Sequence, residues 1–151
     1  MTDELRVHLH FAMRGTYPLR LLDLLFCTET VRYVEYGYLT PFDIAVGSAR
    51  RRARAFADRV TSEGIATAID DAEAVETHEY GSIEGVDVYE GGWFGRPKVV
   101  VRSADGTATA VRVHGEFDAE AFTAALESTL DTRDVPVRRR AGTGLGRLLG
   151  W

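Results

Sequence analysis

The sequence has one lysine, one cysteine and no apolar run long enough to cross a membrane. A single cysteine, Cys27, excludes an intrachain disulfide, so stability has to come from a hydrophobic core. The longest apolar stretch, Leu19–Cys27, is interrupted by Arg20 and Asp23 and is far shorter than the roughly 20 residues that span a bilayer. The N-terminus also lacks the basic and apolar regions of a signal peptide. We therefore expect a cytoplasmic protein with no membrane span.

The basic residues are almost all arginine. Seventeen arginines and Lys98 face 23 acidic residues, which gives a net charge of −5. This acidic, lysine-poor composition resembles the proteins of salt-loving archaea, so we expect a halophilic protein. Residues 63–131 carry 15 acidic and 4 basic groups, whereas residues 132–151 carry 5 basic groups and 1 acidic group. We predict one domain over residues 1–131 followed by a basic, glycine-containing tail over residues 132–151.

Strand patterns dominate the domain. Apolar and polar residues alternate from residue 5 to residue 13, which is typical of a strand with one buried face. Asp105-Gly106 predicts a tight hairpin turn near the end of the sheet. Six further segments are rich in β-branched or aromatic residues and complete a count of seven strands: residues 21–27, 31–36, 75–80, 83–89, 98–102 and 107–113.

A change of period after Thr40-Pro41 predicts an amphipathic helix over about residues 41–62, with Thr40 as its N-cap. Its opposite face is rich in arginine. This helix either packs on its own sheet or pairs with its copy in a homodimer. The apolar positions recur at helical spacing: Phe42, Val46, Ala49, Ala53, Phe56 and Val60.

The order of three strands, a helix, four strands and a final helix resembles the pleckstrin-homology and GRAM-like domains. Residues 25–34, Leu-Phe-Cys-Thr-Glu-Thr-Val-Arg-Tyr-Val, look like the second hairpin of that group. Asp105-Gly106, followed by Phe117-Asp118-Ala119 and Phe122, looks like its last hairpin and capping helix. The resemblance covers roughly residues 19–130.

This resemblance implies an α+β fold, with an antiparallel seven-stranded bent sandwich or partly open barrel. The helix at about 41–62 is then an insertion, and a C-terminal helix at about 118–130 caps one end. Phosphoinositide-binding members carry several basic residues in the first hairpin, where this chain has only Arg14 and Arg20. Lipid is therefore disfavoured as a ligand.

Two clusters are candidates for binding. The loop from Gly91 to Lys98 places aromatic side chains next to cations, an arrangement that can stack on or hold an anionic ligand. The arginines of the first helix can contact phosphate, or they can pair with the acidic segment within the chain or across a dimer. The candidate binding residues are Trp93, Phe94, Arg96, Lys98, Arg50, Arg51 and Arg54.

Three histidines are the candidates for a metal site, although the sequence alone predicts none. His8 and His10 project from one face of the first strand, and His114 lies at the end of the last strand. A metal needs three or four convergent ligands, and no carboxylate stands close to His8 and His10 in the sequence. We therefore expect no metal and no cofactor.

These features predict a noncatalytic binding or assembly module, with a protein or a second copy of the chain as its partner. No nucleophile, base or paired-carboxylate motif of an enzyme stands out. One alternative is a small-ligand-binding protein or enzyme with its site near the strand histidines. Another is nucleic-acid association through the arginine-rich helix and tail, which the overall acidity disfavours.

Overall fold

The computed structural model describes residues 3–15, 19–70, 72–92 and 95–142. The chain divides into two compact units, Met1–His78 and Glu79–Trp151. Each unit combines β-strands with α-helix, so the predicted α+β class is confirmed. Within the described ranges, no helix is both long and apolar enough to cross a membrane.

The first unit is built on four strands in the order β4-β3-β2-β1. β1 pairs antiparallel with β2, and β2 pairs antiparallel with β3. The order places β4 at an edge, where its side chains are mostly exposed. The strands are β1 (Leu5–Arg14), β2 (Leu19–Cys27), β3 (Thr30–Leu39) and β4 (Ala74–Glu79).

A β-bulge interrupts the pairing of β1 with β2. Leu9 pairs with Leu24, but the next pair is Ala12 with Leu22, so β1 carries one residue more than β2 in this interval. Phe11 within the bulge has a φ of 59°, the left-handed conformation that side chains other than glycine rarely adopt. Bulges of this kind redirect side chains and are common beside functional sites.

The helical segment after β3 is divided into three helices, which corrects the prediction of one helix over residues 41–62. α1 (Pro41–Ala45) is followed by α2 (Ser48–Glu63) and α3 (Ile65–Asp70). Gly47, between α1 and α2, has a φ of 76°, which breaks the helix because a continuous α-helix requires negative φ. Thr40 caps α1 as expected, since its hydroxyl oxygen accepts a hydrogen bond from the Asp43 N–H at 3.2 Å.

α2 packs on its own sheet, as one of the two predicted arrangements requires. Ala49 and Ala53 are buried in a cluster with Phe11, Met13 and Leu21. Phe56 lies in a second buried cluster, with side chains of β2 and β3. The first two positions of the apolar stripe, Phe42 and Val46, take no part in this burial and are exposed.

The second unit contains the other four strands, in the order β7-β6-β5-β8. β8 lies at an edge and pairs parallel with β5, so the described residues hold eight strands, not all of them antiparallel, instead of seven antiparallel strands. The Val86 N–H donates to the Pro136 carbonyl at 3.0 Å where this pairing begins. The strands are β5 (Ile83–Tyr89), β6 (Lys98–Ser103), β7 (Ala108–Val113) and β8 (Val137–Arg140).

β8 lies inside the segment that we predicted to be a tail, where no periodicity is evident in the sequence. Adding this strand protects the edge of β5, whose backbone groups would otherwise lack partners. Its arginines also form ion pairs, at 3.2 Å between Arg139 and Glu90 and at 3.5 Å between Arg140 and Asp87. The rest of the predicted tail, residues 143–151, lies outside the described residues.

α4 (Ala119–Leu130) agrees with the predicted C-terminal helix. The Asp118 carboxylate accepts a hydrogen bond from the Ala121 N–H at 3.0 Å, so Asp118 is the N-cap. The rings of Phe117 and Phe122 lie 5.2 Å apart between centroids, the contact expected of a hydrophobic staple. The predicted hairpin at Asp105-Gly106 is also confirmed, with β6 and β7 on either side of it.

Candidate functional site

A cluster of polar side chains lies on the helix-facing side of the first unit's sheet. Two imidazole nitrogens approach the same oxygen of Asp23: His8 Nε2 at 2.6 Å and His10 Nδ1 at 2.9 Å from Oδ2. The three potential ligand atoms all lie within 4.8 Å of one another. We call His8, His10 and Asp23 the His–Asp cluster.

The carboxylate of Asp23, which joins His8 and His10, was not predicted from the sequence. No carboxylate stands close to these histidines in the sequence, but Asp23 on the neighbouring strand β2 supplies one in the folded chain. The predicted third histidine, His114, lies after β7 in the second unit and is not a member of the cluster. A signal existed in the sequence, since Asp23 is the one acidic residue in the stretch from Leu19 to Cys27, which is apolar apart from Asp23 and Arg20.

Two other donors fix the orientation of the Asp23 carboxylate. The Phe11 N–H donates to Oδ1 at 2.8 Å, and the Tyr36 hydroxyl donates to the same oxygen at 2.7 Å. The left-handed conformation of Phe11 in the bulge positions its N–H for this bond. With both donors on Oδ1, the other oxygen, Oδ2, is directed to the two imidazoles.

The cluster is buried at the carboxylate and opens at the histidines. Asp23 is fully buried, whereas 22% of the His8 side chain and 38% of the His10 side chain are exposed. The ring of Phe56 from α2 lies 6.4 Å from the His8 ring and stacks on Tyr36 at 4.9 Å, measured between centroids. Solvent therefore reaches the cluster past His10.

The surroundings keep Asp23 ionised and Tyr36 protonated. Burial alone would raise the pKa of Asp23, but hydrogen bonds from His10 and His8, and their charges, together hold it below its ordinary value of 3.8. Burial and the neighbouring Asp23 charge raise the pKa of Tyr36. A buried carboxylate that accepts four hydrogen bonds can therefore act as an anionic ligand or as the acceptor of a hydrogen-bond network.

An exposed apolar surface lies beside the arginines of α2. The exposed fractions are 73% for Phe42, 58% for Tyr38 and 46% for Val46. Two arginines tie this surface to α2, because Arg52 Nη1 donates to the Tyr38 carbonyl at 3.0 Å and Arg51 Nη1 to the Val46 carbonyl at 3.3 Å. We call these three residues, together with three exposed arginines of α2, the α1–α2 surface: Tyr38, Phe42, Val46, Arg50, Arg51 and Arg54.

The arginines predicted as binding residues on α2 are exposed. Arg50 lies over the Phe11 ring, with its guanidinium carbon 5.9 Å from the ring centroid. Within the described part of the chain, Arg50, Arg51 and Arg54 form no ion pair with a carboxylate. These three cations therefore remain available to an acidic partner.

The loop between β5 and β6 is described in part. Trp93 and Phe94, predicted as an aromatic platform, lie outside the described residues. Arg96 is exposed, but Lys98 is buried, with its Nζ 5.1 Å from the centroid of the Tyr89 ring. Burial and the charge of Arg112, its cross-strand partner, lower the pKa of Lys98. Arg96 is thus the described member of this loop that offers a charge to a partner.

Comparisons with known proteins bear on the fold alone. No protein-family model and no curated protein matches the chain. Among solved structures, the chain is similar to the C-terminal domain of an unknown protein from Leishmania infantum, with a TM-score of 0.50, 11% identity and coverage of 84% of each chain. The hSac2 domain from human phosphoinositide phosphatase Sac2 aligns with a TM-score of 0.49 and 10% identity over 91% of this chain and 78% of that one. At such low identity, a shared fold is all that the first likeness supports.

Proposed function

We propose that this protein is a noncatalytic assembly module that associates with a second copy of itself through the α1–α2 surface. The observation that carries the proposal is the exposure of Phe42 and Val46, one helical turn apart, beside arginines that have no carboxylate partner in the described chain. Exposed apolar patches rimmed by polar residues mark interaction sites, and aromatic and arginine side chains dominate binding energy at interfaces.

A second copy suits this surface because of the distribution of charge along the chain. Residues 63–131 carry a net charge of −11, while Arg50, Arg51 and Arg54 offer three cations that this segment does not neutralise within the described chain. The same chain thus supplies both the cationic surface and the acidic surface. At high salt the charges are strongly screened, so the buried area of Phe42 and Val46 would provide most of the affinity.

We infer a pleckstrin-homology-like arrangement, with the strands forming a bent sandwich or partly open barrel, in a halophilic protein of the cytoplasm. The order of strands and helices and the capping helix α4 support this inference. In such an arrangement the helical insertion α1–α3 is the departure from the plain pattern, which makes it a suitable place for a contact particular to this chain.

The test is the mass of the protein in solution, measured by sedimentation equilibrium at high salt. We expect a dimer for the unmodified chain and a monomer for the double variant Phe42→Ser and Val46→Ser, because the variant removes the apolar centre of the contact. Val75→Ser is the matched control, since Val75 is an exposed aliphatic residue on the edge strand β4 and does not belong to the α1–α2 surface. An unmodified chain that is monomeric at its highest soluble concentration, or a double variant that remains dimeric, would contradict the proposal.

A further inference from the structure

The His–Asp cluster has the donor set of a metal site. Two imidazole nitrogens and one carboxylate oxygen come from adjacent strands and lie within 4.8 Å of one another. Nitrogen and oxygen donors in this combination bind first-row transition metals, whereas calcium and magnesium prefer sites built from oxygen alone. The set leaves coordination positions for water, as three-ligand sites commonly do.

The carboxylate is already held in the orientation that a ligand needs. Phe11 N–H and Tyr36 OH occupy Oδ1, so Oδ2 is presented to His8 Nε2 and His10 Nδ1. Hydrogen bonds to the non-ligating atoms of metal ligands orient them and are a regular feature of metal sites. The left-handed conformation of Phe11 adds to this, because backbone strain of this kind gathers at functional sites.

We propose that His8, His10 and Asp23 bind one divalent first-row transition metal ion, with Tyr36 and the Phe11 N–H as positioning groups. This site is separate from the α1–α2 surface and does not depend on self-association. On binding, the ion takes the place of the hydrogens between the two imidazoles and Oδ2. A neutral imidazole moves that proton to its other ring nitrogen, and a protonated imidazole releases one proton to solvent.

Metal binding requires rearrangement of the three ligand atoms of the His–Asp cluster and of nothing larger. Metal–ligand bonds of about 2.0–2.1 Å at tetrahedral angles separate neighbouring ligand atoms by about 3.3 Å. The two separations between an imidazole nitrogen and Oδ2, 2.6 and 2.9 Å, therefore have to widen by less than an ångström. The two imidazole nitrogens, which lie within 4.8 Å of each other, have to reach about the same 3.3 Å by turning their rings. His10 is the more exposed ligand and gives the ion a path from solvent.

The experiment uses the full chain after a chelator has removed any bound metal. Zn²⁺ binding is then measured by titration calorimetry, and Co²⁺ binding is measured by visible absorption. We expect one ion per chain and a Co²⁺ spectrum of low coordination number. His10→Ala removes a ligand and is expected to weaken Zn²⁺ binding at least about 100-fold. Tyr36→Phe removes a positioning hydrogen bond and is expected to weaken it about 10- to 100-fold.

The matched control is His78→Ala. His78 Nε2 also lies 2.7 Å from a carboxylate oxygen, of Glu76, but this pair does not belong to a three-ligand cluster in the described chain. Its removal should leave Zn²⁺ affinity unchanged. Absence of binding to the folded, unmodified chain would show that the cluster is a hydrogen-bond network alone and would overturn the proposal, whatever the variants do. Equal loss in the His78 and His10 variants would overturn it as well.

Discussion

Among the residues that the structure describes, each of the two units contains one fully buried aspartate, and the two are held in different ways. Asp23 in the first unit accepts hydrogen bonds from two imidazoles, a hydroxyl and a backbone N–H. Asp87 in the second unit faces two guanidinium groups, with Arg102 Nε at 3.0 Å and Arg140 Nε at 3.5 Å. Both carboxylates are shielded from water, yet their partners differ in chemistry.

The difference separates a structural ion pair from an exchangeable site. Guanidinium groups remain protonated throughout the ordinary pH range and do not bind metals, so Asp87 keeps the same partners under all conditions in which the protein is folded. Imidazoles exchange protons near neutral pH and are common metal ligands. We therefore expect the partners of Asp23 to be replaceable by a metal ion in the folded protein, and those of Asp87 to be fixed.

The largest loss of unfolding free energy is expected for Asp87→Ala. It leaves Arg102 and Arg140 partly buried without their shared carboxylate, and breaking such a pair costs about 3–5 kcal/mol of unfolding free energy. Urea denaturation measures this cost. Zn²⁺ affinity should not change, because Asp87 has no part in the His–Asp cluster.

Glu84→Ala is the control for this variant. Glu84 also pairs with Arg102, at 3.0 Å, but more than half of its side chain is exposed. We expect Glu84→Ala to lower the unfolding free energy by less than about 1 kcal/mol, the usual cost of losing a surface ion pair. Similar losses for both variants would remove the distinction between a buried structural pair and an exposed one.

The next effect is a pH dependence of stability, which we expect from His114 in the second unit. His8 and His10 face a carboxylate, whereas burial and the nearby Arg96 and Arg112 lower the pKa of His114 to about 4. The unfolded chain binds a proton at this histidine below pH 6.5, but the folded chain does not until about pH 4. The free energy of unfolding should therefore fall as the pH decreases through this window.

His114→Gln tests this pH dependence, because glutamine does not titrate. Urea denaturation at pH 7 and pH 5 should show a smaller loss of stability in the variant than in the unmodified chain. Asp23 acts in a separate window: its lowered pKa contributes stability above 3.8 that is lost only as the pH falls below that value. A variant with the same loss between pH 7 and pH 5 as the unmodified chain would exclude His114 as the cause.

The fold was predictable where local chemistry determines it. The Asp118 cap and the Asp105-Gly106 turn specify their elements through side-chain and backbone preferences of a few residues. The division of the inserted helix was not predicted, because apolar spacing continues across Gly47 while the backbone there turns left-handed. β8 was missed because four residues rich in arginine show no strand pattern, and their pairing with β5 depends on a distant segment.

The candidate site shows the same division between local and distant information. The alternation of apolar and polar residues in β1 predicted that His8 and His10 share one face of the strand. Asp23 joins them through the pairing of β1 with β2, which a local pattern does not contain. A charged residue inside an apolar strand requires a buried partner, and the hairpin register places position 23 close to position 10. The bulge at Phe11, which supplies the fourth hydrogen bond, has no evident sequence signal.

Apart from the control variants, the smallest loss of unfolding free energy is expected for Tyr36→Phe in the absence of metal. The variant keeps the ring that stacks on Phe56 and removes only the hydroxyl that donates to Asp23. Hydrogen bonds to charged groups contribute about 1.5–3 kcal/mol, so we expect a loss of about 2 kcal/mol in urea denaturation. Tyr38→Phe, at an exposed tyrosine, should change stability by less than about 0.5 kcal/mol. If Tyr36→Phe is equally neutral, the carboxylate of Asp23 does not depend on this donor, and the contrast with the fixed partners of Asp87 becomes weaker.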